Sequence, residues 1–314
     1  MIRRPSFLAT VAAGAMVCAM ALSACVPTPT PAATATPIRI VPQGTILFSA
    51  TGSDGVFALY TMNADGSNRK PLYRAARGDL YGARWSPDGR TAVATLEVDG
   101  GSQLWLIDAD GTHARPLTTL KASGEAAWAP DGAALVFVSN DAGQKDLYYI
   151  RADGTGLRRL TTRKGDHEQP TWSPDGSRIA FVSTEDSQFG NRQLMVLEVS
   201  LTGAAEQKFL LRNERVNFQY PVFSHDGKKL AYASDATGVF DLYVLTLETG
   251  KSIALTQGTE PATHPTWSPD DALLAYTVNL PRGFTLHLIT AQGAGATPID
   301  LRPDVNEFFP DWKR

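Results

Sequence analysis

Cysteine is almost absent from this chain: of its 314 residues only Cys18 and Cys25 are cysteine. Both lie in the first 25 positions, so the body of the protein holds neither a disulfide framework nor a thiolate metal cluster. Runs of one charge are also missing. With 29 basic residues against 32 acidic ones and a formal charge of −3, there is no basic stripe to track a phosphate backbone, and nucleic acid is excluded as an expected partner. Helical periodicity is lacking as well, which argues against bundles and helical arrays. What is there suffices for a folded protein, because 43% hydrophobic and 19% charged residues exclude a disordered chain and the length is ample for a core. Two domains or one large all-β domain both fit that length.

The N-terminus reads as an export signal. Arg3 and Arg4 precede an uncharged apolar run from Phe7 to Leu22, shorter than the roughly 20 residues a membrane span needs. The run ends in Leu22-Ser23-Ala24-Cys25, which resembles the bacterial lipobox, in which the cysteine is acylated before cleavage ahead of it. Cys18 is a poor alternative because Val17 stands where a small residue is needed. On this reading residues 1–24 are removed, Cys25 is the lipid-attachment residue, and the protein is anchored to a membrane on its extracytoplasmic side. Residues 25–43 then form a tether, since Val26 to Pro37 holds four prolines, four threonines and three alanines and cannot build a core.

From residue 44 to 314 the chain repeats itself. Trp85-Ser86-Pro87-Asp88-Gly89 returns as Trp128-Ala129-Pro130-Asp131-Gly132, Trp172-Ser173-Pro174-Asp175-Gly176, Phe223-Ser224-His225-Asp226-Gly227 and Trp267-Ser268-Pro269-Asp270-Asp271, with a truncated copy at Pro310-Asp311-Trp312. A period of 43 to 51 residues between the aromatic anchors suits propeller blades. Each repeat reads as four short strands: the aromatic strand, a β-rich run such as Ile179–Ser183, a third strand at positions such as Leu194-Met195, and a fourth ending near residues such as Leu210. The first unit lacks its aromatic strand and the last element, Phe308 to Trp312, is such a strand with nothing after it. Together they make one blade, so the C-terminal strand is expected to complete the N-terminal blade and close a ring of six. Pro42-Gln43-Gly44 mimics the Pro-Asp-Gly turn and offers Ile38–Val41 as a competing strand.

Pro-x-Trp-Ser-Pro-Asp-Gly, followed by a β run such as Arg178-Ile179-Ala180-Phe181 and then by Leu-Tyr and Asp-Gly at fixed offsets, resembles the TolB-type propeller repeat, a WD-like repeat also found in peptidase propeller domains. The resemblance implies an all-β, six-bladed propeller of four-stranded blades. TolB itself carries an α/β domain ahead of its propeller, for which residues 25–43 leave no room.

The repeat residues themselves read as structural. Pro-Asp-Gly is a tight turn in which Pro sets φ, Asp caps the backbone and Gly takes the left-handed position. Asn63-Ala64-Asp65-Gly66, Asp108-Ala109-Asp110-Gly111 and Arg151-Ala152-Asp153-Gly154 are hairpin turns rather than calcium loops, because the glutamate-terminated ligand loop is missing. The six aromatic anchors are spaced for packing between blades, each contributing about 1.5 to 3 kcal/mol on burial.

The segments leading into each aromatic strand should ring the mouth of the central channel, because the first strand of a blade is normally innermost. The candidate binding residues are therefore Asp79, Tyr81, Glu125, Asp166, His167, Glu168, Asn217, Gln219, Tyr220, His264, Asn306, Glu307 and Phe308. Carboxylates, imidazoles, amides and phenols converging on one funnel suit a binding site. Enzymatic signatures are not found: there is no Gly-x-Ser-x-Gly elbow, no zinc His-Glu-x-x-His and no phosphate loop, and no cofactor is expected. His113, His225 and His287 fall on turns or repeat strands and read as structural. The expected function is that of a monomeric, non-catalytic module that binds an envelope or extracellular protein or peptide. The alternative is a saccharide-binding or metal-dependent saccharide-cleaving propeller in which His167 and His264 converge on a metal.

Overall fold

A computed structural model describes residues 42–52, 54–120, 122–199, 206–299 and 306–313. The chain divides into two units, Met1–Ile40 and Val41–Arg314, and the described residues fall in the second. The signal segment, Cys25, the tether up to residue 41 and the competing strand Ile38–Val41 lie outside them. Every element among the described residues is a β-strand.

Period-two alternation, broken at Pro-Asp-Gly and Asp-Gly turns, gives six antiparallel sheets of four strands each. The first blade is composite. Its second to fourth strands are Thr45–Thr51, Phe57–Asn63 and Lys70–Tyr73, while its inner strand is the C-terminal Glu307–Trp312. Pairing of Ile46 with Trp312 and of Ala50 with Glu307 sets that register, so the two ends of the chain share one sheet and the ring is closed as expected. The inner strands of blades 2 to 6 are Asp79–Trp85, Ser123–Trp128, His167–Trp172, Phe218–Phe223 and Ala262–Trp267. Closure removes the long edges that an open sheet of this size would expose.

Packing is divided between neighbours. Six apolar clusters each draw on two adjacent blades; Trp267, for example, joins Ala231, Leu242 and Val244 of blade 5 to Leu274 and Ile289 of blade 6. Trp85, Trp172, Phe223, Trp267 and Trp312 are buried, and Trp128 is half-buried against the cluster of blades 2 and 3. Trp128 and Trp267 also donate their indole N–H to the carbonyls of Arg84 and Val222 in the preceding blade, at 3.2 and 3.1 Å.

The Pro-Asp-Gly turns face one end of the ring. Asp88, Asp131, Asp175, Asp226 and Asp270 each accept the backbone N–H two residues on, at 2.9 to 3.1 Å. Hydrogen bonds from Ser173 and Ser177 draw the Asp175 carboxyl down to about 2. In successive blades the turn glycine packs on the proline of the blade before: a β-carbon on Gly132, Gly176 or Gly227 would lie 3.6 to 3.9 Å from Pro87, Pro130 or Pro174.

Blades 5 and 6 depart from this together. His225 replaces the proline and so has an N–H to give, and Asp271 replaces the glycine with a φ of 56°. The Asp271 carboxylate accepts the N–H of His225 at 2.8 Å and of Asp226 at 2.9 Å, and lies 2.8 Å from His225 Nδ1. Two breaks in the repeat thus form one contact.

Candidate functional site

Each inner strand carries a bulge three residues before its aromatic anchor. The register of pairing to the second strand shifts there in every blade, and the bulged residue has a left-handed backbone: Gly82 (φ 63°), Glu125 (52°), Gln169 (54°), Tyr220 (52°), His264 (52°) and Phe309 (55°). A bulge frees the next residue from the ladder, so Pro170, Pro221, Pro265 and Pro310 are tolerated in that position. Holding a non-glycine residue there costs on the order of 1 kcal/mol or more, which the surrounding sheet must offset. Its effect is to re-aim a side chain. All six bulged positions line the central channel, which encloses a cavity of about 260 Å³.

Around this ring the side chains touch in sequence. Glu125 Oε2 accepts the Gln169 N–H at 2.7 Å, and Gln169 Oε1 accepts the Tyr220 N–H at 2.7 Å. The Tyr220 and His264 rings lie 3.7 Å apart between centroids, His264 and Phe309 lie 4.2 Å apart, and Phe309 stacks on Tyr81 at 6.3 Å. Blades 5, 6, 1 and 2 therefore present an aromatic arc, and blades 3 and 4 a carboxylate and an amide. One layer deeper, Arg84 reaches the Pro310 carbonyl at 3.3 Å and Asp311 at 3.9 Å.

The electrostatics follow from enclosure. Water reaches Glu125 along the channel, but protein surrounds it on nearly every side; this desolvation raises its carboxyl above the ordinary value, against the Gln169 hydrogen bond, and the charge of Glu168 adds to it. Burial, helped by the Glu125 charge, pushes the Tyr220 phenol up to about 12. Burial also holds the His264 imidazole well below its ordinary value, with a smaller contribution from the Arg84 charge. His264 is therefore neutral at neutral pH; its Nδ1 lies 2.9 Å from Thr263 Oγ1 and its Nε2 has no hydrogen-bond partner.

Of the candidate residues, Tyr81, Glu125, Tyr220 and His264 line the cavity. Phe308 does not line the cavity; it contacts Phe57, Phe284 and Phe309 at 4.6 to 5.6 Å between centroids, and Gln219 is half-buried next to Tyr220.

The rest are turned to other work. Asp79, Asp166, Asn217 and Asn306 accept the backbone N–H groups of Phe57, Lys145, Arg192 and Phe284 in the preceding blade, at 2.8 to 3.2 Å, so they join blades rather than face the channel. Glu168 is buried between Lys145 and Arg192, the latter at 3.0 Å; burial opposes its ionisation, but the two cations outweigh that and lower its carboxyl. Glu307 is buried with Arg69 Nε at 3.0 Å.

His167 is also buried, set edge-on to Phe181 at 5.7 Å with Nε2 3.2 Å from the Arg163 carbonyl. It does not line the cavity, so the expected convergence of His167 and His264 does not occur. Among the described residues no cluster of three or more His, Cys, Asp or Glu side chains is placed to hold a metal.

Gln169 and Phe309 also belong to the ring and end two of the segments expected at the mouth, whereas Gly82 lies one residue beyond its segment. The signal that finds them is the position three residues before the aromatic anchor, read across all six copies; proline follows it in four of them.

Residues 74–208 match the model of the TolB beta propeller domain family. No curated protein matches the chain. Among solved structures it is similar to TolB from Acinetobacter baumannii (20% identity, TM-score 0.74, covering 86% of this chain and 66% of that one). The putative TolB from Agrobacterium tumefaciens is similar over 87% of this chain and 99% of its own at 14% identity and TM-score 0.67. A puromycin-hydrolyzing peptidase from Mycobacterium tuberculosis shares the fold over 82% of this chain and 45% of its own, at 16% identity and TM-score 0.57. At these identities the solved structures speak for the fold. Sequence repeat and ring closure agree: the chain folds as a six-bladed β-propeller, and residues 74–208 of it are similar to the TolB beta propeller domain.

Proposed function

We propose that this protein is a lipid-anchored, extracytoplasmic and non-catalytic module that binds a protein or peptide of the cell envelope at the mouth of its propeller channel. The observation that carries the reading is the bulge repeated in all six inner strands, which in five of them accepts backbone strain and presents a side chain to one cavity. Phe308 and Tyr220 supply rigid aromatic surface of the kind that dominates binding hot spots, and closed blades behind them keep it in place. TolB appears among the similar structures, and a scaffold or partner-binding role agrees with that fold. Anchoring is carried by Leu22-Ser23-Ala24-Cys25, since acyl chains contribute about 0.8 kcal/mol per buried methylene.

Two measurements test this. Cross-linking in the native envelope should recover a partner that the Tyr220→Ala/Phe308→Ala variant loses, with binding weaker by about 1 to 3 kcal/mol and an unchanged circular dichroism spectrum. Asp65→Ala and Asp110→Ala, in hairpins at the opposite end, should leave capture intact. Loss of the partner from those two variants and not from the mouth variant would place binding on the wrong end. Separately, Cys25→Ala should move the protein from the membrane to the soluble fraction or leave an uncleaved precursor; normal maturation with unchanged membrane association would rule the anchor out.

A further inference from the structure

Five of the six bulged positions fill the channel with a side chain and the sixth is Gly82. A β-carbon built on Gly82 would meet no atom within 4 Å, so the ring is open at blade 2. The opening lies between Phe309 of blade 1 and Glu125 of blade 3, with the Tyr81 ring beside it, fixed by its hydroxyl's 2.6 Å hydrogen bond to Glu97. Aromatic surface thus stands on one side of the gap and a carboxylate on the other.

Three acidic groups near Glu125 or deeper in the ring each have a cation partner. Glu168 is met by Lys145 and Arg192, Glu307 by Arg69, and Asp311 by Arg84. Among the described residues no lysine, arginine or histidine lies within ion-pair distance of Glu125; Lys145 and Arg192 act on it only from a distance, across Glu168, and its one hydrogen bond comes from the neutral Gln169 N–H. The Glu125 side chain is open to the channel water and touches no cation, so it is free to accept one arriving from outside, and the walls around it strengthen that attraction. The rings of Phe309, His264 and Tyr220 continue the wall in unbroken contact, and aromatic faces attract a cation through their quadrupole. A cavity of about 260 Å³ admits the end of a chain and not a folded domain. Arg84, one layer deeper and held by Asp311 and the Pro310 carbonyl, limits how far a positive group can descend.

We propose that the gap at Gly82 receives an alkylammonium group of the bound peptide, which ion-pairs with Glu125 against the Tyr81 and Phe309 rings. The proposal rests on the channel-mouth reading above and names the chemistry of what enters. Either a lysine side chain or a free amino terminus can bring that group.

Three small probes separate these sources when titrated into the full chain and followed by saturation-transfer NMR. Nα-acetyl-lysine amide has only the side-chain ammonium, norleucine amide only the α-ammonium, and Nα-acetyl-norleucine amide neither. At least one charged probe should bind about tenfold more tightly than the neutral one, as expected when a charged hydrogen bond is added. Glu125→Gln should bring that probe down to the neutral level. Gly82→Gln should exclude all three probes without unfolding the ring, because Gln169 occupies the equivalent bulge at nearly the same φ. Equal binding of charged and neutral probes, no binding of any probe to the unaltered chain, or an unchanged preference in Glu125→Gln would each overturn the amine assignment. If the probes fail while partner capture still depends on Tyr220 and Phe308, the ammonium proposal falls and the channel-mouth reading stands. If the probes behave as expected and capture ignores those two residues, the partner binds elsewhere and only the ammonium site survives.

Discussion

A chain ending at Asn306 is expected to lose its cooperative thermal transition or to melt at least about 10 °C lower than the full-length protein. Ordinary terminal deletions cost little because termini fray. Here the deleted segment is the inner strand of blade 1, pairing with Ile46, Leu47, Ser49 and Ala50 and burying Trp312 between blades 6 and 1. Losing an aromatic anchor of that kind costs about 3 to 5 kcal/mol by itself, and each kcal/mol moves the melting point of a domain this large by roughly 2 to 4 °C. The deletion also strips the inner edge of Thr45–Thr51, leaving unpaired N–H and C=O groups along the channel. Calorimetry of the truncated chain decides the matter: a single transition within a few degrees of the intact protein would mean that closure contributes little.

Replacing Arg69 by methionine should destabilise the ring by about 3 to 5 kcal/mol, because it leaves the buried Glu307 carboxylate without its guanidinium. Arg69 comes from the N-terminal part of blade 1 and Glu307 from the C-terminal strand, so this ion pair fastens the two ends of the chain across the closure. The arginine head also lies over the Tyr60 ring at 4.1 Å, packing that a methionine side chain partly keeps. Glu307→Leu combined with Arg69→Met should recover most of the loss, since an apolar pair of similar volume replaces a buried ion pair at little net cost. Denaturant unfolding of the two single variants and the double variant measures the coupling. Additive losses in the double variant would show that each residue acts through other contacts.

Much of the architecture was legible because the repeat writes the same physics six times. Trp-Ser-Pro-Asp-Gly names an aromatic anchor, a cap and a turn at once, and the surplus strand at Phe308 to Trp312 could pair only with the unit that lacked one. The composite first blade follows from that count. Even the irregular turns were visible as departures, although nothing in the chain's order says that His225 and Asp271, 46 residues apart, answer each other.

The channel residues were legible as segments and not as individuals. Asp79, Asp166, Asn217 and Asn306 look like ligand groups in the sequence, yet each accepts an N–H from the neighbouring blade. His167 and His264 look alike and end in different places, one buried behind its own strand and the other in the channel. The cause is the bulge: period-two alternation assigns faces only along an unbroken strand, and an extra residue shifts every side chain beyond it to the other face.

The sequence alone determined an all-β ring of six blades, how that ring closes, and which residues make its turns and anchors, because those depend on local propensity and on counting repeats. Only the tertiary structure decided which side chains meet across the channel, that Gly82 leaves a gap among them, and that among the described residues no cation lies within ion-pair distance of Glu125. Those facts depend on distances between blades far apart in the chain, which no local pattern encodes.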